Sequence, residues 1–197
     1  MKLVLATRNP HKVRELATLL QPHEIEPLPD GIDLPPETGG TFEENALIKA
    51  RAAARATGAP SIADDSGIEA AALGGAPGVR SARFAGEHTT DEENLAKLLR
   101  EVPPDGDLRV EYVCVLAYVE PDGDELCFYG RCAGTLTHEP RGSGGFGYDP
   151  AVIPVDTGAA DPRTMAELSA EEKDAISHRG RAARAFLDWL ARERRAA

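Results

Sequence analysis

Two adjacent carboxylates follow a short apolar run at Ala63-Asp64-Asp65-Ser66-Gly67. Such a pair suits a hard divalent cation such as magnesium, or a general base that draws a proton from water. Neighbours on a strand face opposite ways, so only one of the two meets a substrate unless the chain turns at Gly67. An Asx turn without chemistry is the bland alternative. Glu37, Glu43 and Glu44 lie upstream as further candidate ligands, and Lys49 is available to temper the negative charge.

Three more clusters carry groups that could bind or react. Thr7-Arg8-Asn9-Pro10-His11-Lys12 reads as a strand-to-helix junction. There, free backbone N–H groups and the helix dipole favour an anion, and Lys12 adds a point charge; plain N-capping by Asn9 with a solvated Lys12 is the alternative. Gly142-Ser143-Gly144-Gly145-Phe146-Gly147-Tyr148-Asp149-Pro150 contains a literal G-x-G-x-x-G. A dinucleotide fingerprint must open a helix, and Pro150 and Pro154 forbid one of useful length here. The segment is better read as a loop offering Phe146 or Tyr148 for stacking and Asp149 as a polar anchor, or as an ordinary glycine-rich surface loop. Lys173 and Ser177-His178-Arg179-Gly180 offer hydrogen bonds to carbonyl oxygens and ring nitrogens, against the alternative of solvated helix charges.

The elements that must position these groups alternate. Residues 2–6 read as a buried strand, followed by a helix that Asn9 caps, Pro10 opens and Pro22 ends; Val13, Leu16, Ala17 and Leu20 form its apolar face. Residues 27–40 are a Pro/Gly-rich loop, and Thr41 with Glu44 forms a capping box ahead of a second helix through Thr57. A strand over residues 61–63 puts the acidic pair at its end, where α/β proteins place their chemistry. Thr90 and Glu93 repeat the capping-box spacing for a helix to Glu101. Residues 109–119, 125–132 and 135–138 read as an antiparallel meander with a turn at Pro121-Asp122-Gly123, and residues 170–195 as one long helix.

Composition bounds the function. A chain of 197 residues with 42% hydrophobic content fits one domain, or one domain pinched into two lobes. A formal charge of -11 argues against a nucleic-acid partner, so a phosphate ligand must meet a local basic pocket. Cys114, Cys127 and Cys132 have neither CxxC nor zinc spacing and read as reduced thiols. The four-residue apolar run near the N-terminus is too short for a signal sequence or membrane span, so the expectation is a cytoplasmic protein with no membrane partner. No GxxxxGK[ST] occurs, which disfavours a P-loop kinase or ATPase.

Taken in order, Thr7-x-Asn9-x-x-Lys12, Glu37-Thr38-Gly39, Thr41-Phe42-x-Glu44-Asn45-Ala46, Ala63-Asp64-Asp65-Ser66-Gly67, Leu73-Gly74-Gly75-Ala76-Pro77-Gly78, Ser81-Ala82-Arg83-Phe84, Gly145-Phe146-Gly147-Tyr148-Asp149-Pro150 and Ser177-His178-Arg179 form a set that spans nearly the whole chain. This set resembles the inosine/xanthosine triphosphate pyrophosphatase family. The resemblance implies an α/β fold with an elongated mixed β-sheet flanked by helices, two lobes with a central active-site cleft, and a homodimer. It also implies a small-molecule nucleoside triphosphate substrate, Mg2+ as cofactor, and cleavage to monophosphate and pyrophosphate.

Residue by residue, the resemblance implies that Thr7, Arg8, Asn9, Pro10, His11 and Lys12 hold the triphosphate, and that Glu37, Asp64 and Asp65 surround the metal. Asp65 would be the general base, with Lys12 offsetting developing charge, Lys49 ordering the acidic group and Ser66 touching substrate. Phe146 would stack on the purine, Gly147, Tyr148 and Asp149 would shape that pocket, and Lys173, His178 and Arg179 would lie at the base's edge. Donors there match a 6-oxo group and oppose adenine's 6-amino donor. The exclusion of guanine rests on the resemblance alone. A pyrophosphatase acting on other modified bases and a non-catalytic nucleotide sensor are the rivals, and the first is expected to lack Ser177-His178-Arg179 and the run from Phe146 to Asp149.

Overall fold

The computed structural model describes residues 1–196. Six strands form one sheet in the order β2-β1-β3-β4-β5-β6: β1 (Lys2–Leu5), β2 (Glu24–Pro27), β3 (Ser61–Ala70), β4 (Arg109–Val119), β5 (Glu125–Leu136) and β6 (Val152–Pro154). β1 runs parallel to β2 and β3, whereas β5 and β6 are antiparallel, so the sheet is mixed. The helices are α1 (Pro10–Leu19), α2 (Phe42–Thr57), α3 (Asp91–Glu101), α4 (Ala170–Ile176) and α5 (His178–Ala196). This is the α/β architecture of a mixed sheet with flanking helices that the sequence leads one to expect. No helix among the described residues is long and apolar enough to cross a membrane.

The chain divides into two compact units. The first comprises Met1–Asp65, Cys114–Gly130 and Arg179–Ala197, and the second Ser66–Val113 and Arg131–His178. The core of the first packs Leu16 of α1, Leu20 at its C-cap, and Ala183, Phe186 and Leu190 of α5 on Leu3, Leu5, Ile62, Cys114 and Leu116. The core of the second gathers Leu95 and Leu98 of α3 with Ile68, Val110, Tyr112, Leu136, Tyr148, Met165 and Leu168. Each fully buried aliphatic side chain contributes about 1.5–3 kcal/mol relative to an exposed one. Cys114, Cys127 and Cys132 are not joined in a disulfide.

Local chemistry sets the helix starts. Asn9 caps α1 with Pro10 at the first position, and capping boxes open α2 at Thr41 with Glu44 and α3 at Thr90 with Glu93. Each cap stabilises by about 1 kcal/mol.

Three expectations are corrected. The strand through Ile62 does not end at the acidic pair: β3 continues to Ala70, so Asp64 and Asp65 lie inside it and the chain does not turn at Gly67. Asp and Gly are poor strand formers, but pairing along β3 and the ion pairs described below override that preference. The strand expected over residues 135–138 is the end of β5, which runs unbroken to Leu136. The single C-terminal helix is two, because Ser177 takes extended backbone (φ -63, ψ 153) and closes α4. Serine is favoured where a new helix begins, and the break puts His178 and Arg179 in the first turn of α5.

Candidate active site

Alternation along β3 sends two neighbouring carboxylates to different partners. Asp64 is wholly buried, and its Oδ2 lies 2.9 Å from Lys12 Nζ and accepts from Arg179 Nε and Nη2 at 3.3 and 3.2 Å. Burial alone would push this carboxyl up, but Lys12, Arg179 and Lys49 outweigh it and hold it well below the usual carboxylate range. Arg179 is 2% exposed and also donates Nη1 to Glu15 Oε2 at 2.5 Å. Burial works against its charge, yet Asp64, Cys114 and Glu15 together raise its affinity for the proton.

Asp65 faces other groups. Asn45 Nδ2 donates to its Oδ2 at 3.1 Å, and Lys49 Nζ lies 3.6 Å from its Oδ1 and 2.5 Å from Glu37 Oε1. Burial pushes the Asp65 carboxyl up; Lys49 opposes this and Glu37 reinforces it, leaving the carboxyl above its ordinary value. Burial lowers Lys49, but Asp65, Asp64 and Glu37 more than compensate, so the ammonium keeps its charge. One carboxylate is thus fixed as an anion, and its neighbour is shifted toward holding a proton. Environments that push paired acids apart in this way are suited to acid/base work.

Asn45 and Lys49 stand one turn apart on α2 and reach the same carboxylate. The Asn45 amide is set from its other end, since Gly39 N donates to its Oδ1 at 2.8 Å. Only glycine fits there: a Cβ on Gly39 would lie 2.6 Å from Glu44 Cβ and 2.7 Å from Asn45 Oδ1.

The start of α1 combines both readings of its sequence. Asn9 Oδ1 accepts from His11 N at 2.9 Å and Lys12 N at 3.3 Å, and Thr7 Oγ1 accepts from Asn9 N at 3.2 Å, so Asn9 does cap the helix. Lys12, however, is not solvated but engaged with Asp64. Pro10 occupies the first helical position. Arg8 donates to the carbonyls of Leu28, Pro29 and Ile32 at 2.8, 2.9 and 2.9 Å, pinning the loop after β2, and His11 Nδ1 lies 3.0 Å from Arg14 Nη2.

In the second unit a different group converges on Asp149, which is 3% exposed. Tyr112 donates its hydroxyl to Asp149 Oδ1 at 2.9 Å; Lys173 Nζ and Phe146 N donate to Oδ2 at 2.8 and 3.0 Å. Lys173 Nζ also sits 5.2 Å from the Phe146 ring centroid, a cation–π distance. The Tyr112 ring stacks on His178, with centroids 4.8 Å apart and planes 10° from parallel. Burial and the Asp149 charge push the Tyr112 phenol well above its ordinary value, so it remains a donor. Gly145 has φ +69, and a Cβ there would collide with Asp149 Oδ2. Gly147 N donates to Asp91 Oδ2 at 2.9 Å.

Tyr148 and Arg179, expected around the base, each make a defined buried contact. Tyr148 is 6% exposed and donates its hydroxyl to the Ser81 carbonyl at 2.7 Å within the core of the second unit. Arg179 donates to Asp64 Oδ2 through Nε and Nη2. Ser66 lies within β3, half-buried. No long helix follows the glycine run, only a three-residue turn at Asp149–Ala151 and then β6, so a dinucleotide fingerprint is excluded. Sequence reasoning missed Asn45, Glu15 and Tyr112 as functional groups. Helical spacing from Lys49 and Lys12 could have signalled the first two; Tyr112 looks like any core aromatic of a strand.

Comparison with known proteins bears on this arrangement. The family model described as the Ham1 family matches residues 3–189. The dITP/XTP pyrophosphatase of Pectobacterium atrosepticum is 50% identical over 196 residues, covering 96% of this chain and 98% of that protein. That of Photorhabdus laumondii is 48% identical with the same coverage. Among solved structures, a HAM1 protein from Coxiella burnetii aligns with a TM-score of 0.88 at 41% identity, covering 98% of this chain and 99% of its own. A nucleoside-triphosphatase / dITP/XTP pyrophosphatase from Mycobacterium abscessus aligns with a TM-score of 0.74 at 44% identity over 95% of this chain and 99% of its own. With the family match covering nearly the full length, the chain belongs to the Ham1 family.

Proposed function

We propose that this protein hydrolyses the triphosphates of inosine, deoxyinosine and xanthosine to the monophosphate and pyrophosphate, removing damaged purine nucleotides before they enter DNA and RNA. The observation that carries the reading is the divided acidic pair of β3, with Asp64 fixed as an anion by Lys12 and Arg179 and Asp65 shifted toward holding a proton. The relatives named dITP/XTP pyrophosphatase supply the choice of base.

Asp65 is the group that takes the proton from the attacking water, and Lys12 offsets charge developing on the phosphates. Thr7 to Lys12 receive the triphosphate, with Arg8 bracing the loop beside them. Arg179 acts through Asp64, which positions Lys12. Phe146 stacks on the purine, and Lys173 and His178 donate to its 6-oxo edge. Adenine presents a 6-amino donor to the same groups and leaves them unpaired, which rejects it strongly.

The donor chemistry fits magnesium. Among the described residues no three His, Cys, Asp or Glu side chains form a ready cage. Magnesium, however, is usually held by only one or two carboxylates together with substrate phosphates and waters. Glu37 and Asp65, which share Lys49, would hold it with Asp64 close behind, and when bound it would neutralise phosphate oxygens. The resemblance further supports a homodimer, and the absence of an apolar spanning helix among the described residues is compatible with a cytoplasmic location.

Product analysis tests the proposal. Inosine triphosphate incubated with the protein and Mg2+ should yield inosine monophosphate and pyrophosphate in equal amounts. Diphosphate with orthophosphate would identify a different phosphohydrolase, and binding without turnover would identify a sensor; either result would overturn the reading.

A further inference from the structure

Tyr112 holds two different side chains of the second unit at once. Its hydroxyl meets Asp149 Oδ1 at 2.9 Å, and its ring lies 4.8 Å from the His178 ring in a near-parallel stack. The residue is 5% exposed, on β4, so its own position is set by the sheet and the surrounding core. Asp149 passes this constraint on, because its other oxygen takes Lys173 Nζ and Phe146 N. All three partners of Asp149 donate, so the carboxylate works only as an acceptor, and contacts to both oxygens fix its plane.

We propose that Tyr112 is a positioning residue for base selection: one phenol sets the ring angle of His178 and, through Asp149, the place of the Lys173 ammonium and of the Phe146 loop. The inference rests on the assignment of the purine to Phe146, Lys173 and His178 made above. A carboxylate torsion is soft, with a broad two-fold profile. Without the hydroxyl, Asp149 can turn, and Lys173 turns with it. The donors that match a 6-oxo purine then lose their fixed geometry, although no group that touches the base has been removed. The stack acts separately from the hydroxyl. It holds the imidazole plane, which an aliphatic residue cannot do.

The test compares Tyr112→Phe, Tyr112→Leu and Phe146→Ala in the full chain. KM and kcat are measured with inosine triphosphate. The inhibition constant is measured for inorganic tripolyphosphate, which carries the phosphates and no base. Tyr112→Phe keeps the ring and removes only the hydroxyl. Its KM should rise roughly three- to ten-fold, the range of one hydrogen bond, while kcat and the tripolyphosphate constant stay within about two-fold. Tyr112→Leu should raise KM further. An unchanged KM in Tyr112→Phe beside a raised KM in Phe146→Ala would overturn the inference and leave the base assignment standing. Equal loss of affinity for both ligands would also overturn it, since that marks general distortion. If neither variant moves KM, the base assignment itself fails and the inference with it.

Discussion

Asp64 and Asp65 are consecutive on β3, and their Oδ2 atoms meet different donors: that of the first meets Lys12 and Arg179, and that of the second meets Asn45. Their substitutions should therefore fail in different ways. Asp64→Asn leaves the buried Arg179 and the half-buried Lys12 beside a neutral amide and should cost about 3–5 kcal/mol of stability, the range for breaking a buried pair. The folded-state value of Asp64 lies below its ordinary 3.8. Its contribution is therefore present above about pH 4 and lost as the pH falls toward the folded value. The stability gap between wild type and Asp64→Asn, read by denaturant unfolding, should be full at pH 7 and shrink below about pH 4.

Asp65→Asn should do the reverse. The Asp65 carboxyl is raised in the fold, so its charge opposes folding at neutral pH and its removal should leave stability equal or higher. Loss of a general base should lower kcat by about 10²–10⁴-fold with substrate still bound. Turnover near that of wild type would remove Asp65 from its assigned role.

Lys49 favours the charged form of Asp65. Lys49→Gln should therefore raise the Asp65 value further, and the base form would be reached only at higher pH. The acid limb of kcat/KM for inosine triphosphate should move upward relative to wild type. A limb that stays in place or moves down would break the link between these two residues and catalysis.

Gly145 is constrained twice, by φ +69 and by the contact a side chain would make with Asp149. Left-handed backbone alone costs a non-glycine residue about 1–2 kcal/mol. Gly145→Ala should displace Asp149 and Lys173 and raise KM for inosine triphosphate roughly ten-fold or more, with a smaller effect on kcat. Steady-state kinetics on the purified variant would show this directly.

Much of the fold was legible because its signals are local. Asn9-Pro10, Thr41 with Glu44 and Thr90 with Glu93 mark helix starts through capping, and α1, α2 and α3 begin there. The alternating residues of β4 match Arg109–Val119 without adjustment. β2 and β6 escaped notice because each is short and ends in proline, Pro27 and Pro154, which reads as loop. The extent of β3 depends on pairing with distant strands that composition does not carry, and the break at Ser177 is one extended residue inside a helical pattern. The same holds for the candidate site. Residue types pointed to Asp64, Asp65, Lys12 and Lys49, but the pairing of Arg179 with Asp64, 115 positions away, is a property of the fold alone. A guanidinium in a Ser-His-Arg run looks exposed in sequence, and here it is 2% exposed.

The most direct test of the central claim is pyrophosphate release from inosine, xanthosine, adenosine and guanosine triphosphates, each with Mg2+ and with chelator. The account predicts release from the first two at least about 10²-fold faster than from adenosine triphosphate, consistent with rejection by unpaired donors, and loss of activity in chelator. Guanosine triphosphate should also be poor. Equal rates on adenosine triphosphate, or release that persists in chelator, would contradict it.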